Sequence, residues 1–132
     1  MKHVVSVGLG SSTRDSYIET ELLGEPIIIE RRGTNGSVQQ AIKLIEELDG
    51  KVDAFGLGGT DLFIQIAGRR YYLRESLGIA RHAKKTPLVC GAGLKDTLER
   101  KVIKDLDAVL KWKDKKCLVV SAVDRFGMAE AL

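Results

Sequence analysis

The sequence predicts an α/β fold: a mostly parallel sheet of strand, glycine-loop and helix units, with one or two β-hairpins inserted. The first observation is a repeated local grammar, clearest at Val52-Asp53-Ala54-Phe55-Gly56-Leu57-Gly58-Gly59-Thr60-Asp61, where a short apolar run stops in a glycine cluster closed by small polar side chains. Residues 4–7 run likewise into Gly8-Leu9-Gly10-Ser11-Ser12-Thr13, residues 87–90 into Gly91-Ala92-Gly93, and residues 117–120 into Ser121-Ala122-Val123-Asp124. The second is helical periodicity between these runs. The third is size: 132 residues, 44% hydrophobic and 30% charged, suit one globular domain with a sizeable core.

Residues 4–7 are short and β-branched and read as a buried strand. Residues 16–23 then alternate, with Ile18, Thr20 and Leu22 on one side and Tyr17, Glu19 and Glu21 on the other, which is strand period. A turn at Gly24-Glu25-Pro26 and a return strand at Ile27-Ile28-Ile29 complete a hairpin; a helix over residues 15–23 is the competing reading. Ser37 and Gln40 have capping-box spacing, and Val38, Ala41, Ile42, Ile45 and Leu48 share one helical face up to a stop at Gly50. That helix delivers the chain into the strand at residues 52–55.

Residues 62–66 and 70–73 flank Ala67-Gly68-Arg69 as a second hairpin. A weak helix follows over residues 75–85 and is broken by Thr86-Pro87. Residues 88–90 form a third buried strand. A long helix spans residues 95–113 with Leu98, Val102, Leu106, Val109 and Leu110 inward, and residues 117–120 form a fourth strand. Cys90 and Cys117 lie inside apolar runs and are expected to be free, buried thiols.

Residues 1–132 thus read as a single α/β domain. Residues 117–132 have the look of a second, nucleotide-binding-like domain that breaks off early, since Met128-Ala129-Glu130-Ala131-Leu132 opens a helix without completing a second turn. A cut within a longer protein and a frayed tail are both consistent with that run.

A formal charge of +3 is spread among interleaved acids and bases, with no basic tract, and aromatics are only 5%. Both argue against nucleic acid as a partner, which calls for clustered basic residues and stacking rings. No apolar run reaches a membrane span and the amino terminus lacks a leader pattern, so a cytoplasmic location without membrane contact is expected. Homo-oligomerisation is expected from the exposed start of the last helix and from sheet edges. His3 and His82 make no metal-ligand spacing.

The runs Ser6-Val7-Gly8-Leu9-Gly10-Ser11-Ser12-Thr13-Arg14-Asp15, Lys51-Val52-Asp53-Ala54-Phe55-Gly56-Leu57-Gly58-Gly59, Gly93-Leu94-Lys95-Asp96-Thr97-Leu98-Glu99-Arg100 and Val119-Val120-Ser121-Ala122-Val123-Asp124-Arg125-Phe126-Gly127-Met128-Ala129-Glu130 resemble bacterial proteins of a quinate 5-dehydrogenase-like group. The resemblance covers nearly the whole chain. It implies the amino-terminal, substrate-binding portion of an oxidoreductase acting on a small hydroxy acid, with NAD(P) held by a longer parent protein and no cofactor in this piece. Quinate and shikimate dehydrogenases carry a catalytic Lys-Asp pair set far apart in sequence, whereas Lys95-Asp96 here is contiguous.

Fourteen glycines occur, and Gly8, Gly10, Gly56, Gly58, Gly59, Gly91 and Gly93 are expected just after strands. In open α/β sheets that rim is where ligands bind, and glycine lets backbone N–H groups approach an anion; tight turns explain the same glycines. Candidate ligand-binding residues for a small anionic or polyhydroxy molecule are Ser11, Ser12, Arg14, Gly58, Gly59, Thr60, Gly93, Asp124 and Arg125. Arg14 with Asp15 also reads as a surface pair, and Thr60 with Asp61 as a cap. Catalytic residues stay open, Lys95 and Asp61 being the candidates. A non-catalytic module binding a small anion is the alternative to the enzyme.

Overall fold

Val5 and Val7 point the same way along the first strand, and both are fully buried. That strand, β1 (Lys2–Gly8), lies at the centre of a five-stranded sheet. The computed structural model describes residues 1–132, which form two compact units, Met1–Leu62 with Leu73–Cys90, and Phe63–Tyr72 with Gly91–Leu132.

In the first unit β2 (Ser16–Leu22) and β3 (Glu25–Gly33) form the antiparallel hairpin that strand-period alternation predicts. The helical reading of this segment is excluded. The turn falls at Leu23-Gly24, one residue earlier than expected, because Leu22 pairs with Glu25 and both turn residues take positive φ (54° and 83°). β1 pairs in parallel with β3 on one side and with β4 (Ala54–Gly58) on the other, and β4 pairs in parallel with β7 (Leu88–Cys90), giving the order β2-β3-β1-β4-β7. The mixed α/β class with a mostly parallel sheet is therefore observed.

The core lies on one face of this sheet. Val5, Val7, Phe55 and Leu57 pack there with Ala41 and Ile45 of α1 (Val38–Leu48) and Ile79 of α2 (Arg74–Ala80). On the opposite face Val4 and Ser6 are half-buried and Ile29 is exposed, so β1 is not covered equally on both sides. Ser37 caps α1 as its spacing predicts, accepting from Gln40 N at 3.2 Å. The reciprocal half of the box is replaced, since Ser37 N donates to Thr34 O.

Asp49 follows α1 and accepts from the amides of Lys84, Lys85 and Thr86 at 2.8–3.1 Å. Those residues are thereby drawn out of α2, which ends at Ala80 rather than near residue 85. The Thr86 amide above all, then those of Lys85 and Lys84, hold the Asp49 carboxyl below its ordinary value of 3.8. A depressed carboxyl stabilises the fold fully above its unfolded-state value, and the contribution is lost as pH falls through the folded one. Urea melts of Asp49→Asn should therefore show a stability gap from the parent at pH 7 that closes below 3.8. A gap that stays constant down to acid pH would show the carboxylate to be dispensable.

β7 is an edge strand and not a buried one: Val89 is 61% exposed.

The second unit contains the hairpin β5 (Phe63–Ile66) and β6 (Arg69–Tyr72), turning at Ala67-Gly68 with φ of 48° and 77°. The expected long helix is broken in two, α3 (Ala92–Asp96) and α4 (Leu98–Leu110), at Thr97, whose ψ of −72° departs from a regular helix and whose Oγ1 donates to Gly93 O. The apolar stripe of α4 does not face inward: Leu98, Val102, Leu106 and Val109 are exposed, and Ile103 is the buried residue. Residues 117–120 form no strand, with Leu118 and Val120 about nine-tenths exposed and Cys117 exposed rather than buried. Apolar, β-branched sequence makes a strand only where a neighbouring backbone completes the ladder, and none pairs with this one. The chain closes on α5 (Phe126–Ala131). No helix is long and apolar enough to cross a membrane.

Candidate functional site

Because β3, β1, β4 and β7 all run parallel, their carboxyl ends share one edge of the first unit's sheet. The glycines expected beyond the strands are partly inside them: Gly8 ends β1, and Gly56 and Gly58 belong to β4. Register aligns Gly8 with both Gly33 and Gly58, a row of three without side chains across adjacent strands. Close approach of chain to chain requires the one at Gly33. A Cβ on Gly33 would stand 2.5 Å from Ser11 O and 2.7 Å from Gly10 O, and one on Gly58 3.4 Å from Gly8 Cα.

Backbone bonds then tie the β1 and β3 loops to each other. Gly8 O accepts from Thr34 N, Leu9 O from Gly36 N, Gly10 O from Asn35 N, and Gly58 O from Leu9 N. The hydroxyls proposed as ligand donors are also engaged within the loop. Ser11 Oγ accepts from Thr13 N at 3.1 Å and meets Thr13 Oγ1 at 2.8 Å, capping a single 3-10 turn over Ser12–Arg14. Ser12 N and Oγ donate to Asn35 Oδ1, and Asn35 Nδ2 donates back to Ser12 Oγ. Ser11 and Ser12 thus shape the loop.

Two guanidiniums stand beside this loop. Arg31, on β3, donates through Nη1 to Ser11 O and to Asp15 Oδ1, at 3.0 and 2.9 Å, and leaves Nη2 turned towards Gly8 and Gly10. Arg14 brings its own Nη2 to Gly10 as well. The two nitrogens are 3.2 and 2.7 Å from the point where a Cβ on Gly10 would stand, so they lie less than about 6 Å apart. Asp15 pairs with Arg31 rather than with Arg14, and also accepts from Gly33 N at 2.6 Å. Two like charges meeting over bare backbone leave a position where an anion is favoured. Sequence reading found Arg14 and missed Arg31, which is one charge among three in Glu30-Arg31-Arg32 until register places it beside Gly8.

Gly59 takes a φ of 77°, and a Cβ added there would stand 3.3 Å from Leu9 N and 3.4 Å from Gly10 N. Thr60 neither lines the arginine pair nor caps a helix: its Oγ1 bonds Ser76 Oγ at 2.6 Å. Asp61 is half-buried in the link from β4 to β5.

Gly93, Lys95, Asp124 and Arg125 belong to the second unit. There Lys95 Nζ donates to Asp124 Oδ1 at 2.6 Å, although 29 residues separate them. Asp96 turns to other partners, accepting from Gln65 Nε2 at 2.8 Å and from Arg100 at 3.0 Å, so Lys95 and its sequence neighbour do not form a pair. Arg125 bonds Glu99, and Arg100 also reaches Glu130; Glu130 first and Asp96 second raise the Arg100 pKa further. Gly127 lies on the end of α3, where a Cβ would stand 2.9 Å from Asp96 Cα. The space enclosed by Gln65, Lys95, Asp96 and Asp124 is about 10 Å3, room for no more than one water. This network fixes the α3 and α5 segments in place; it does not enclose a substrate-sized cavity. No cluster of three or more His, Cys, Asp or Glu side chains stands together as a metal site would require.

Two families match the chain in succession. The family described as Domain of unknown function (DUF8753) matches residues 3–90, and that described as Domain of unknown function (DUF8754) matches residues 93–132. The chain belongs to the first of these, which covers more than half of it. The division between the two matches falls where the first unit ends, at Cys90. No curated protein matches the chain.

Proposed function

We propose that this member of the DUF8753 family binds a small anionic, hydroxylated molecule at the carboxyl edge of the first unit's sheet, with Arg14 and Arg31 holding its charge. The observation that carries the reading is the approach of both Nη2 atoms to one point above Gly10. Guanidinium groups bind carboxylate and phosphate through paired, charge-assisted hydrogen bonds, and two of them converging give orientation as well as strength. The resemblance to quinate dehydrogenase-like proteins favours a hydroxy acid over inorganic phosphate. The strand order adds a reason to look along this edge, since the chain leaves β1 towards β2 on one side of the sheet and leaves β4 towards β7 on the other, the kind of divergence at which open α/β sheets bind ligands.

Thermal-shift and calorimetric titration with quinate, shikimate, acetate and phosphate test it. At least one of these anions should stabilise the parent chain, and Arg14→Ala should weaken that anion about ten-fold or more, because a charged hydrogen bond contributes roughly 1.5–3 kcal/mol. Arg14 is exposed, so its removal should leave the melting temperature in the absence of anion nearly unchanged. Equal stabilisation of parent and Arg14→Ala by every anion would sink the reading.

A second reading, a dehydrogenase acting on a small hydroxy acid, is favoured by the Lys95–Asp124 bond, a lysine and a carboxylate brought together across 29 residues. NAD(P) would supply the hydride acceptor. The loop after β1 does not suit that cofactor: it leads into one 3-10 turn and then into β2, with no helix N-terminus to receive a pyrophosphate. Cofactor binding is accordingly proposed for a longer parent protein. Nicotinamide reduction at 340 nm with quinate or shikimate checks this reading, and a full-length parent with no turnover would remove it.

A further inference from the structure

We infer that a second cleft in the first unit, between α1 and α2 at the carboxyl ends of β1 and β4, is a binding site for a small acid with an apolar body. The cleft has a volume of about 470 Å3, within the range of small-molecule sites. Its walls are aliphatic side chains from three separate segments: Leu9 after β1, Val38 and Ile42 on α1, and Ile79 on α2. Val38 is 44% exposed although it sits on the helix face that otherwise packs inward, so the inner stripe of α1 runs out into this opening.

Polar groups stand at two places only, which fixes the chemistry of the occupant. At the inner end Thr60 Oγ1 and Ser76 Oγ are 2.6 Å apart, and Ser76 is 1% exposed. One hydroxyl donates to the other, and Thr60, half-buried where Ser76 is buried, is the member of the pair that can meet an occupant. At the mouth stand Arg81, which is exposed, with Glu75 and with His82, whose Nδ1 is held by Glu46 at 2.7 Å. Gly78 lies in the lining between the two, and a Cβ added there meets nothing within 4 Å. An apolar body against the aliphatic walls, with a carboxylate at Arg81, satisfies this arrangement. A volume of about 470 Å3 with mixed aliphatic and polar lining suits a small molecule. The cleft is separate from the arginine pair over Gly10 and does not depend on it.

The test is a titration of the full chain, followed by amide NMR shifts, with phenylacetate and with its uncharged counterpart 2-phenylethanol. A probe of this size is expected to bind at about millimolar concentration. Shifts should appear at Leu9, Ile42, Thr60 and Ile79 for both probes. Arg81→Gln should weaken phenylacetate about three- to ten-fold and leave 2-phenylethanol unchanged. Gly78→Leu should fill the cleft and abolish both without lowering the melting temperature, because open space receives the new side chain and a helical glycine is replaced by a better helix former. Arg14→Ala should leave the shifts at Ile42 and Ile79 unaltered with either probe. The inference fails if the parent shows no shifts in these residues at about 10 mM probe, if Gly78→Leu binds as the parent does, or if Arg81→Gln affects both probes alike.

Discussion

Replacing Phe55 by alanine is expected to lower the stability of the first unit by about 3–5 kcal/mol, the range for emptying a well-packed aromatic site. Phe55 is fully buried, stands opposite Val5 on β1 and Leu88 on β7, and belongs to the cluster that includes Ala41, Ile45 and Ile79. It is the largest of the fully buried side chains. A loss of that size approaches the whole stability of many small domains, about 5–15 kcal/mol. Urea denaturation followed by circular dichroism measures it, with Phe55→Leu as a milder control expected to cost less than half as much. A loss under about 1.5 kcal/mol for Phe55→Ala would mean that these residues are not the core. The consequence for the proposed site is indirect, since β4 carries Gly58 at the carboxyl edge of the sheet; an anion that binds only the folded unit should restore part of the loss, rising with the logarithm of its concentration.

Gly33→Ala is expected to have the next largest effect, a loss of about 1–3 kcal/mol together with loss of anion binding. All three atoms nearest to the new methyl group, Ser11 O, Ser11 C and Gly10 O, are backbone, at 2.5–2.7 Å, so no side chain can swing aside to admit it. The loop after β1 must lift from β3, which separates Arg14 from Arg31. Gly10→Ala makes the informative comparison. Its methyl group would meet Arg14 Nη2 at 2.7 Å and Arg31 Nη2 at 3.2 Å, the mobile ends of long side chains. Stability should therefore change little while anion affinity falls as it does in Arg14→Ala. Chemical denaturation and calorimetric titration of the two variants side by side settle the matter. Equal anion affinity in Gly33→Ala and the parent would show that the loop contact plays no part in recognition.

Features carried by neighbouring residues were legible without coordinates. Alternation at residues 16–22 announced a hairpin strand, Ser37 announced the start of α1, and Gly24 and Gly68 announced the two hairpin turns. The candidate site was legible only in outline. Ser11 and Ser12 were sound as members of the first loop, yet their hydroxyls turned out to be engaged by Thr13 and Asn35, and Thr60 by Ser76. Arg31 could not be separated from its charged neighbours until pairing placed Gly33 beside Gly8.

By itself the sequence determined the two hairpins and α1, because period, capping and positive-φ turns depend on residues within a few positions of one another. Tertiary structure alone decided that β7 lies at an edge, that residues 117–120 form no ladder, that Lys95 bonds Asp124 rather than Asp96, and that two arginines share the space over Gly10. Each of these depends on a partner distant in sequence, and local propensity is the same whether or not that partner arrives.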